Sequence, residues 1–300
     1  MHILMTGATG LIGTALYKKL RNQHQITVLT RDTTKAYKKL GHDIQAINSL
    51  DQLNHLDDFD AVINLAGEPI ADKRWTDKQI ERIEQSRFGI TEQLVKLFKQ
   101  SSEAPAVLIS GSAIGYYGRQ GTTPVTESDH QVHDEFTHRL CAKWEGIAKQ
   151  AESERTRVCM LRTGIVLARD GGALAKMAMP FKLGIGGPIG HGRQMMSWVH
   201  LDDMVDLIIF LLNHDSLSGP FNATAPQPVT NNEFSQTLAK TLKRPCLFRV
   251  PAFVMRTLLG DMADMILTGQ AVLPERLQQS GFQFRHPELA DALRHCYYEA

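Results

Sequence analysis

The first fourteen residues constrain the fold more than any other stretch, because they place Gly7, Gly10 and Gly13 where a strand turns into a helix. An apolar run at residues 3–5 predicts a buried strand, and apolar side chains recur at helical spacing over residues 11–20. In dinucleotide-binding folds, such glycines make a tight turn, admit the pyrophosphate and let the helix pack on the sheet. The N–H groups of the helix N-terminus then face the phosphates. We expect the cofactor to bind at Thr6, Gly7, Thr9, Gly10, Leu11, Ile12 and Gly13.

Strand and helix patterns alternate along the next part of the chain. The sequence predicts buried strands at residues 25–30, 44–47, 60–67, 106–110 and 158–162, and helices at residues 35–40, 75–100 and 135–151. Gly89 predicts a break in the second of these helices. Such alternation is typical of an α/β fold, here a Rossmann-type doubly wound parallel sheet with helices on both faces. Ligands of these sheets bind at the carboxyl ends of the strands.

The character of the sequence changes near residue 168, where glycines begin to separate short helical patterns. We expect residues 1–167 to form the dinucleotide-binding Rossmann domain. Residues 168–300 are expected to form mainly a smaller, mostly helical C-terminal unit that closes over the substrate, with segments around residues 195–230 returning to the sheet. The patterns in this part predict helices at residues 204–212 and 232–242 and a strand at residues 246–250.

Charge and cysteine usage exclude several classes of function. The 33 basic and 32 acidic side chains leave a net charge of +1, which argues against a nucleic-acid or polybasic membrane binder. The four cysteines are scattered without a CxxC pair, which is typical of reduced thiols in the cytoplasm. The first apolar run is too short for a secretory signal, and the run at residues 207–212 is too short to span a bilayer. We expect a cytoplasmic monomer or homodimer whose partner is a small-molecule substrate.

Arg31 indicates which dinucleotide the site prefers. It follows the second predicted strand, where the ribose of a bound dinucleotide should lie. A carboxylate at this position binds the 2′-hydroxyl of NAD, whereas a basic residue suits the 2′-phosphate of NADP through a charge-assisted contact. The sequence therefore favours NADP(H) over NAD(H). Asp32 follows directly, and a solvated loop charge is the alternative interpretation of Arg31.

Five stretches in the same order resemble the extended, sugar-nucleotide-epimerase-like branch of the short-chain dehydrogenase/reductase superfamily. These stretches are residues 6–13, 64–67, 110–118, 161–164 and 198–203. A closer resemblance, to the subgroup called epimerase family protein, rests on residues 64–75, 249–251, 273–277 and 281–284. Residues 246–300 are similar to that subgroup's C-terminal domain of unknown function. The resemblance implies an NADP(H)-binding Rossmann domain, with further cofactor contacts at Leu65, Ala66, Gly67 and Ser110.

The resemblance also shows a departure at the catalytic positions. In the superfamily, a Tyr and a Lys one helical turn apart carry the proton transfer, and a Ser hydroxyl orients the substrate oxygen. Ser112 matches that Ser, with Ser110 as a second candidate, but Thr137 and Cys141 stand at the Tyr and Lys positions. Neither side chain replaces a phenolate beside an ammonium group at neutral pH.

Other polar residues are candidates to complete the site. Tyr116 and Tyr117 could direct a phenol at the substrate, or they could pack as aromatic side chains. Glu68 could act as an acid or base, or it could be a solvated loop carboxylate. Arg87 stands where the superfamily commonly has a relay Asn, and it could bind an anionic substrate or pair with Glu68. Arg193 lies in a glycine-rich loop and is a candidate anion clamp, unless that loop only forms turns.

Two functions remain open on these residues. The first is an NADP(H)-dependent epimerase or oxidoreductase that acts on a hydroxyl or carbonyl group of a small, nucleotide-sugar-like substrate. The alternative is a non-catalytic NADP(H)-binding regulatory or interaction protein. His200 and Asp202 match a structural motif of the family, which predicts a buried, hydrogen-bonded His. No short metal-binding motif is present, so the sequence predicts no metal site.

Overall fold

The computed structural model describes residues 1–299 of the chain. Its strands, in chain order, are β1 (His2–Thr6), β2 (Gln25–Leu29), β3 (Gln45–Ile47), β4 (Ala61–Asn64), β5 (Val107–Ala113), β6 (Pro124–Val125), β7 (Arg157–Thr163), β8 (Ile165–Leu167), β9 (Met195–Met196), β10 (Trp198–His200), β11 (Gly219–Ala223), β12 (Val229–Thr230) and β13 (Ala271–Val272). Its α-helices are α1 (Leu11–Leu20), α2 (Thr33–Leu40), α3 (Asp77–Gln100), α4 (Phe136–Ala148), α5 (Gly172–Lys182), α6 (Leu201–Leu212), α7 (Asn231–Thr241), α8 (Ala252–Leu259), α9 (Ala263–Leu267), α10 (Glu275–Gln279) and α11 (Leu289–Arg294). No helix among these residues is long and apolar enough to cross a membrane.

Seven parallel strands form the central sheet in the spatial order β3-β2-β1-β4-β5-β7-β11. The chain moves outward from β1 to β3, returns to the centre at β4 and then moves outward on the other side. The strand order therefore reverses between β1 and β4, and a crevice opens at the carboxyl ends of these two strands. The predicted Rossmann-type doubly wound sheet is confirmed.

The sheet is buried on both faces because helices cover each of them. Ile3 and Met5 point to one face, where they pack in a core with α1 and α6. Leu4 points to the other face and joins a core that includes side chains of α3 and α4. All three side chains are fully buried. This two-sided burial explains why β1 is a continuous apolar run and does not alternate with polar residues.

The C-terminal part is mostly helical and has its own apolar cluster around Trp198 and Phe234. Two short strand pairs, β8–β10 and β9–β12, lie beside α5, α7 and α11. The tail, residues 251–299, then returns to the Rossmann part of the chain, since β13 pairs in parallel with β6 and α10 packs against β11. The proposed boundaries at residues 167 and 246 remain predictions.

Two predictions of local structure were wrong. Residues 246–250 form no strand: the segment is irregular and only Val250 makes an isolated bridge, to Ile189. Leu247 is 80% exposed, so the apolar run that predicted a buried strand does not enter a sheet. Gly89 does not break α3, which is continuous over 24 residues. A single helical glycine costs about 1 kcal/mol relative to alanine, and the apolar face that α3 buries outweighs this cost.

Candidate cofactor and substrate site

The glycine turn between β1 and α1 admits no side chain at two positions. Gly7 has a φ of 69°, and a Cβ there would lie 2.4 Å from the carbonyl oxygen of Leu65. A Cβ on Gly13 would lie 2.2 Å from the carbonyl oxygen of Gly7, because α1 packs directly on the turn. Gly10, the N-cap of α1, has no side chain to bond the first N–H groups of the helix. The turn therefore leaves bare backbone and unpaired N–H donors, which is what a pyrophosphate needs.

Thr6 positions the second loop of this crevice. Its buried hydroxyl donates to Asn64 Oδ1 at 2.7 Å and accepts the backbone N–H of Ala66 at 3.1 Å. Asn64 in turn donates to Thr91 Oγ1 on α3 at 3.0 Å. These bonds hold residues 65–67 beside the glycine turn. The structure therefore brings the predicted cofactor residues of β1 and β4 together, with Thr6 as a positioning residue.

Two cations lie on the β2 side of the turn. Arg31 is exposed two residues after the end of β2, and the neighbouring carboxylate of Asp32 accepts the N–H of Lys35 at 2.9 Å as the N-cap of α2. Lys39, in the last turn of α2, donates to the carbonyl oxygen of Thr9 at 2.7 Å. Sequence reasoning missed Lys39, because only the packing of α2 brings it to the glycine turn. Arg31 and Lys39 together make the β2 side of the glycine turn positively charged. The carboxylate of Asp32 is engaged in its capping bond to the Lys35 N–H.

Ser112 lies at the carboxyl end of β5 and contacts a buried ion pair. Its hydroxyl donates to Glu145 Oε1 of α4 at 2.6 Å. Arg162 of β7 forks onto the same carboxylate, with Nε and Nη2 each 2.9 Å from an oxygen. The Arg162 and Glu145 side chains are only 4% and 8% exposed. A bidentate pair of this kind fixes both groups in position and satisfies their charges.

The ion pair continues into two tyrosines. Arg162 Nη1 donates to the hydroxyl of Tyr117 at 2.9 Å, and Tyr117 donates to Asn222 Oδ1 at 2.8 Å. Burial raises the pKa of Tyr117 to about 12, although Arg162 opposes the shift, so this phenol stays neutral. The guanidinium of Arg162 also lies over the ring of Tyr116, 3.4 Å from its centroid. The structure therefore joins two of the predicted catalytic residues, Ser112 and Tyr116, through Arg162.

Sequence reasoning did not identify Glu145 or Arg162 as parts of the site, whereas Tyr117 was a candidate together with Tyr116. The available signal was an arginine inside a strand predicted to be buried, since such a charge needs a partner. The position of that partner, on α4, follows only from the packing of the helix on the sheet.

Thr137 and Cys141, which the sequence resemblance places at the Tyr and Lys positions, are hydrogen-bonded and uncharged, respectively. Thr137 Oγ1 donates to Glu135 Oε1 at 3.0 Å. Cys141 is buried, and burial together with the charge of Glu145 raises the pKa of its thiol to about 12. A thiol with this pKa stays protonated near neutrality and carries no charge that could lower the pKa of a neighbouring group.

Arg87 is held by backbone carbonyl groups. Its Nη1 donates to the carbonyl oxygens of Glu68 and Ile83, each at 3.0 Å, and its guanidinium lies 5.3 Å from the ring of Trp144. A Cβ on Gly67 would lie 3.1 Å from the guanidinium carbon, because the Arg87 side chain packs directly against the loop at residues 65–68. Arg87 thus bonds the backbone of Glu68 and not its side chain. The carboxylate of Glu68 instead lies 3.8 Å from Lys73 Nζ.

Arg193 lies between α5 and β9 with an exposed side chain, and its backbone N–H donates to His191 Nδ1 at 2.9 Å. The two predicted anion-binding residues are thus in different settings, Arg87 under a backbone loop and Arg193 in solvent. Lys176 of α5 reaches across to the carbonyl oxygen of Ala71 at 3.2 Å. The C-terminal unit therefore contacts the segment that follows Gly67.

Comparisons with known proteins identify the family of the chain. The family described as NAD dependent epimerase/dehydratase matches residues 3–223, and the Domain of unknown function (DUF1731) matches residues 250–296. The Epimerase family protein SDR39U1 homolog, chloroplastic, of Arabidopsis thaliana is 41% identical over 301 residues, covering 98% of this chain and 86% of that protein. Epimerase family protein SAR0825 of Staphylococcus aureus is 39% identical over 292 residues, covering 97% of both chains.

Solved structures give the same result. The crystal structure of human epimerase family protein SDR39U1 (isoform2) with NADPH has a TM-score of 0.89 and 32% identity, covering 99% of both chains. MoeE5 in complex with UDP-glucuronic acid and NAD has a TM-score of 0.74 at 20% identity, covering 98% of this chain and 96% of that chain, which shows the shared fold alone. The chain belongs to the NAD dependent epimerase/dehydratase family, among the proteins named epimerase family protein.

Proposed function

We propose that this protein binds NADP(H) and interconverts a hydroxyl and a carbonyl group on a small, nucleotide-sugar-like substrate. The observation that carries the chemical part is the 2.6 Å contact from Ser112 Oγ to Glu145 Oε1 at the carboxyl end of β5. The cofactor part rests on the glycine turn, whose two excluded Cβ positions and exposed helix N-terminus fit a dinucleotide.

The basic side of the turn supports the choice of cofactor. Arg31 and Lys39 would hold the 2′-phosphate, while residues 7–13 and 65–67 would hold the pyrophosphate and the nicotinamide half. The NADPH in the human relative's structure supports the same choice. When bound, the cofactor supplies hydride transfer, so the protein has to provide orientation and a path for one proton.

Ser112 and Glu145 provide such a path. Because the Ser112 hydroxyl donates to Glu145, its oxygen keeps lone pairs that can accept a proton. As a substrate hydroxyl is oxidised, its proton would pass to Ser112 Oγ while the original Ser112 proton passes to Glu145 Oε1. Reduction of the carbonyl group formed in the same cycle would reverse both transfers and restore the Glu145 carboxylate beside Arg162. Arg162 keeps Glu145 in one position, and the proton therefore moves along a fixed pair of atoms.

The remaining predicted residues fit around this path. Tyr116, stacked on Arg162, would form one wall of the substrate site, and Glu68 lies on the loop that follows the nicotinamide position. Arg193, which is exposed, would be available to bind an anionic group of the substrate. Ser110 is fully buried and would support the cofactor from the strand.

The first experiment is a fluorescence titration of the purified protein with NADPH and with NADH. We expect micromolar NADPH affinity and weaker NADH affinity, and Arg31→Ala should lose most of the preference for NADPH. Arg155→Ala is the matched control, since Arg155 is an exposed arginine just before the amino end of β7, away from the carboxyl ends of the strands. Absence of NADPH binding would refute the proposal. Equal losses of NADPH affinity in Arg31→Ala and Arg155→Ala would show that Arg31 does not contact the cofactor.

The second experiment tests catalysis. NADPH oxidation would be followed with a panel of carbonyl compounds, including nucleotide-linked keto sugars. Activity that falls at least tenfold in Ser112→Ala, with NADPH affinity unchanged, would support the proton path. Loss of NADPH binding in that variant would instead assign Ser112 to cofactor binding.

A non-catalytic NADP(H)-binding role is the second candidate. The observation in its favour is the inert pair at the usual catalytic positions, with Thr137 bonded to Glu135 and Cys141 buried as a neutral thiol. On this alternative, bound NADPH is never consumed by any carbonyl compound. Wild type and Ser112→Ala would then be equally inactive while both bind the cofactor.

A further inference from the structure

Three histidines from separate parts of the chain meet beside the N-terminus of α6. His200 ends β10, His286 lies between α10 and α11, and His295 follows α11. The centroid of the His200 ring lies 4.2 Å from that of His286 and 4.9 Å from that of His295, and the latter two are 4.4 Å apart. His200 and His286 are buried and His295 is half-buried. None of the three belongs to the Ser112–Glu145–Arg162 network.

The ring nitrogens are close enough to share one ion. His200 Nε2 and His295 Nδ1 are 3.2 Å apart. One nitrogen from each histidine, together with an oxygen of Asp202, forms a set of atoms that all lie within 4.8 Å of one another. Tetrahedral Zn²⁺ with bonds of about 2.0–2.1 Å to nitrogen separates its ligand atoms by roughly 3.3 Å. Side-chain shifts of the order of 1 Å would therefore bring one nitrogen of each imidazole within bonding distance of a single ion.

Carboxylates lie at the other nitrogens of two of these rings. His286 Nδ1 is 3.0 Å from Asp291 Oδ2, which leaves Nε2 as the ligand atom of His286. His200 Nδ1 accepts the Asp202 N–H at 3.1 Å and lies 3.9 Å from Asp202 Oδ2. An ion on Nε2 of His200 would move the ring proton to Nδ1, which would then give up the Asp202 N–H and donate instead to the Asp202 carboxylate after a shift of that side chain. Carboxylates behind the histidine ligands are the usual outer contacts of metal sites.

We propose that His200, His286 and His295 bind one divalent transition-metal ion of the Zn²⁺ class, with Asp202 and Asp291 as outer hydrogen-bond partners and water as the fourth ligand. Neutral imidazole is a preferred ligand of Zn²⁺, Cu²⁺ and Ni²⁺. His200 precedes α6 of the Rossmann part, while His286 and His295 belong to the tail, so the ion would tie the two parts together. Because the unfolded chain does not hold this arrangement, ion binding would stabilise the folded protein.

The chain for this test is purified without a polyhistidine tag and stripped of metal with a chelator. Zn²⁺ titration by calorimetry should give one equivalent of saturable binding and a higher melting temperature. Co²⁺ as a probe should give the intense visible absorption of a tetrahedral site. Absence of saturable binding of either ion would overturn the proposal.

Three variants test the ligand assignment. His295→Gln, at a half-buried position that tolerates change, should lower Zn²⁺ affinity at least 100-fold and abolish the tetrahedral Co²⁺ spectrum. Asp291→Asn keeps all three ligands and should lower affinity about 10–100-fold. His130→Gln is the matched control, since His130 is exposed and distant in sequence from the cluster, and it should bind as wild type. Unchanged affinity in His295→Gln, or equal losses in all three, would refute the site.

NADPH titration of the same samples separates this proposal from the proposed function. We expect chelator treatment to lower the melting temperature while NADPH affinity stays within about twofold of the untreated protein. Loss of NADPH binding on metal removal would contradict the purely stabilising role assigned to the ion.

Discussion

Gly7 and Gly121 share a φ of 69°, but their surroundings differ. A Cβ on Gly7 would lie 2.4 Å from a carbonyl oxygen, whereas one on Gly121 would meet nothing within 4 Å. Both alanine variants incur the strain of a left-handed residue, about 1–2 kcal/mol, and only Gly7→Ala adds a backbone clash. We therefore expect Gly121→Ala to lower the free energy of unfolding by about 1–2 kcal/mol and Gly7→Ala by roughly 2–5 kcal/mol.

Urea denaturation and NADPH titration check this prediction. Gly121→Ala should bind NADPH as wild type, while the folded fraction of Gly7→Ala should lose at least tenfold in affinity because the turn moves. Equal unfolding free energies for the two variants would show that the close approach of Leu65 does not constrain the turn.

The buried Glu145–Arg162 pair predicts that the changes in unfolding free energy caused by substituting its two members are not additive. Glu145→Gln removes the charge opposite a buried guanidinium, and we expect it to lower the free energy of unfolding by about 3–5 kcal/mol. Adding Arg162→Met should restore part of this loss, since the unpaired charge is then gone. Asp134→Asn is the control, because Asp134 pairs with Arg139 at the surface, where the partners are 75% and 60% exposed, and should cost below about 1 kcal/mol. A double variant less stable than Glu145→Gln would contradict the coupling.

At the scale of elements, substitutions at the N-cap of α2 distinguish two roles of Asp32, which are capping the helix and facing the ribose of a bound dinucleotide. Its carboxylate accepts the Lys35 N–H, so Asp32→Ala should lower the free energy of unfolding by about 1 kcal/mol. Asp32→Ser should retain most of that stability, because serine also caps helices. Urea denaturation of the two variants decides the point. Equal stability of Asp32→Ala and wild type would mean that the carboxylate faces the ribose instead of the helix.

The elements that were predictable from sequence are those with a local pattern. The glycine turn, β1 and α1 follow from fourteen consecutive residues, and the other strands of the large sheet up to β7 follow from short apolar runs between helical patterns. Residues 246–250 carry the same kind of apolar run but form no strand, because a strand also needs a partner with free backbone groups. That information lies in the packing and not in the run itself.

The site was less predictable than the fold because its key contacts join distant residues. Ser112 was a candidate because it matches the Ser of the superfamily pattern, but its partner Glu145 lies on α4 and the forked Arg162 on β7. The histidine cluster is the extreme case. Its members stand at positions 200, 286 and 295, so no spacing motif indicates a metal, and the sequence predicted none.

At the scale of the whole molecule, buried polar contacts fasten the tail to the Rossmann part. Asp203 of α6 accepts the N–H groups of Arg285 and His286 at 2.7 and 3.0 Å. Asn222, already bonded to Tyr117, donates to the carbonyl oxygen of Leu273 at 2.9 Å. The tail therefore contacts the same network that holds Ser112, and a shift of the tail would be transmitted to the substrate site.

The four cysteines report on the folding of the whole chain. Burial raises the pKa of Cys141 and Cys296 to about 12 and of Cys159 to about 11. Burial also raises the pKa of Cys246, but this thiol is only half-buried and is therefore accessible to a reagent. Thiolate is the reactive form, and it is present only above the pKa, so a raised pKa lowers the reactive fraction at pH 8 by roughly 10³–10⁴-fold relative to full ionisation. We therefore expect Ellman's reagent to modify one thiol quickly in the native protein and all four in denaturant. Cys246→Ser should abolish the fast phase and Cys141→Ser should retain it. A second fast thiol would mean that one of the three buried cysteines is opened by motions that this packing excludes.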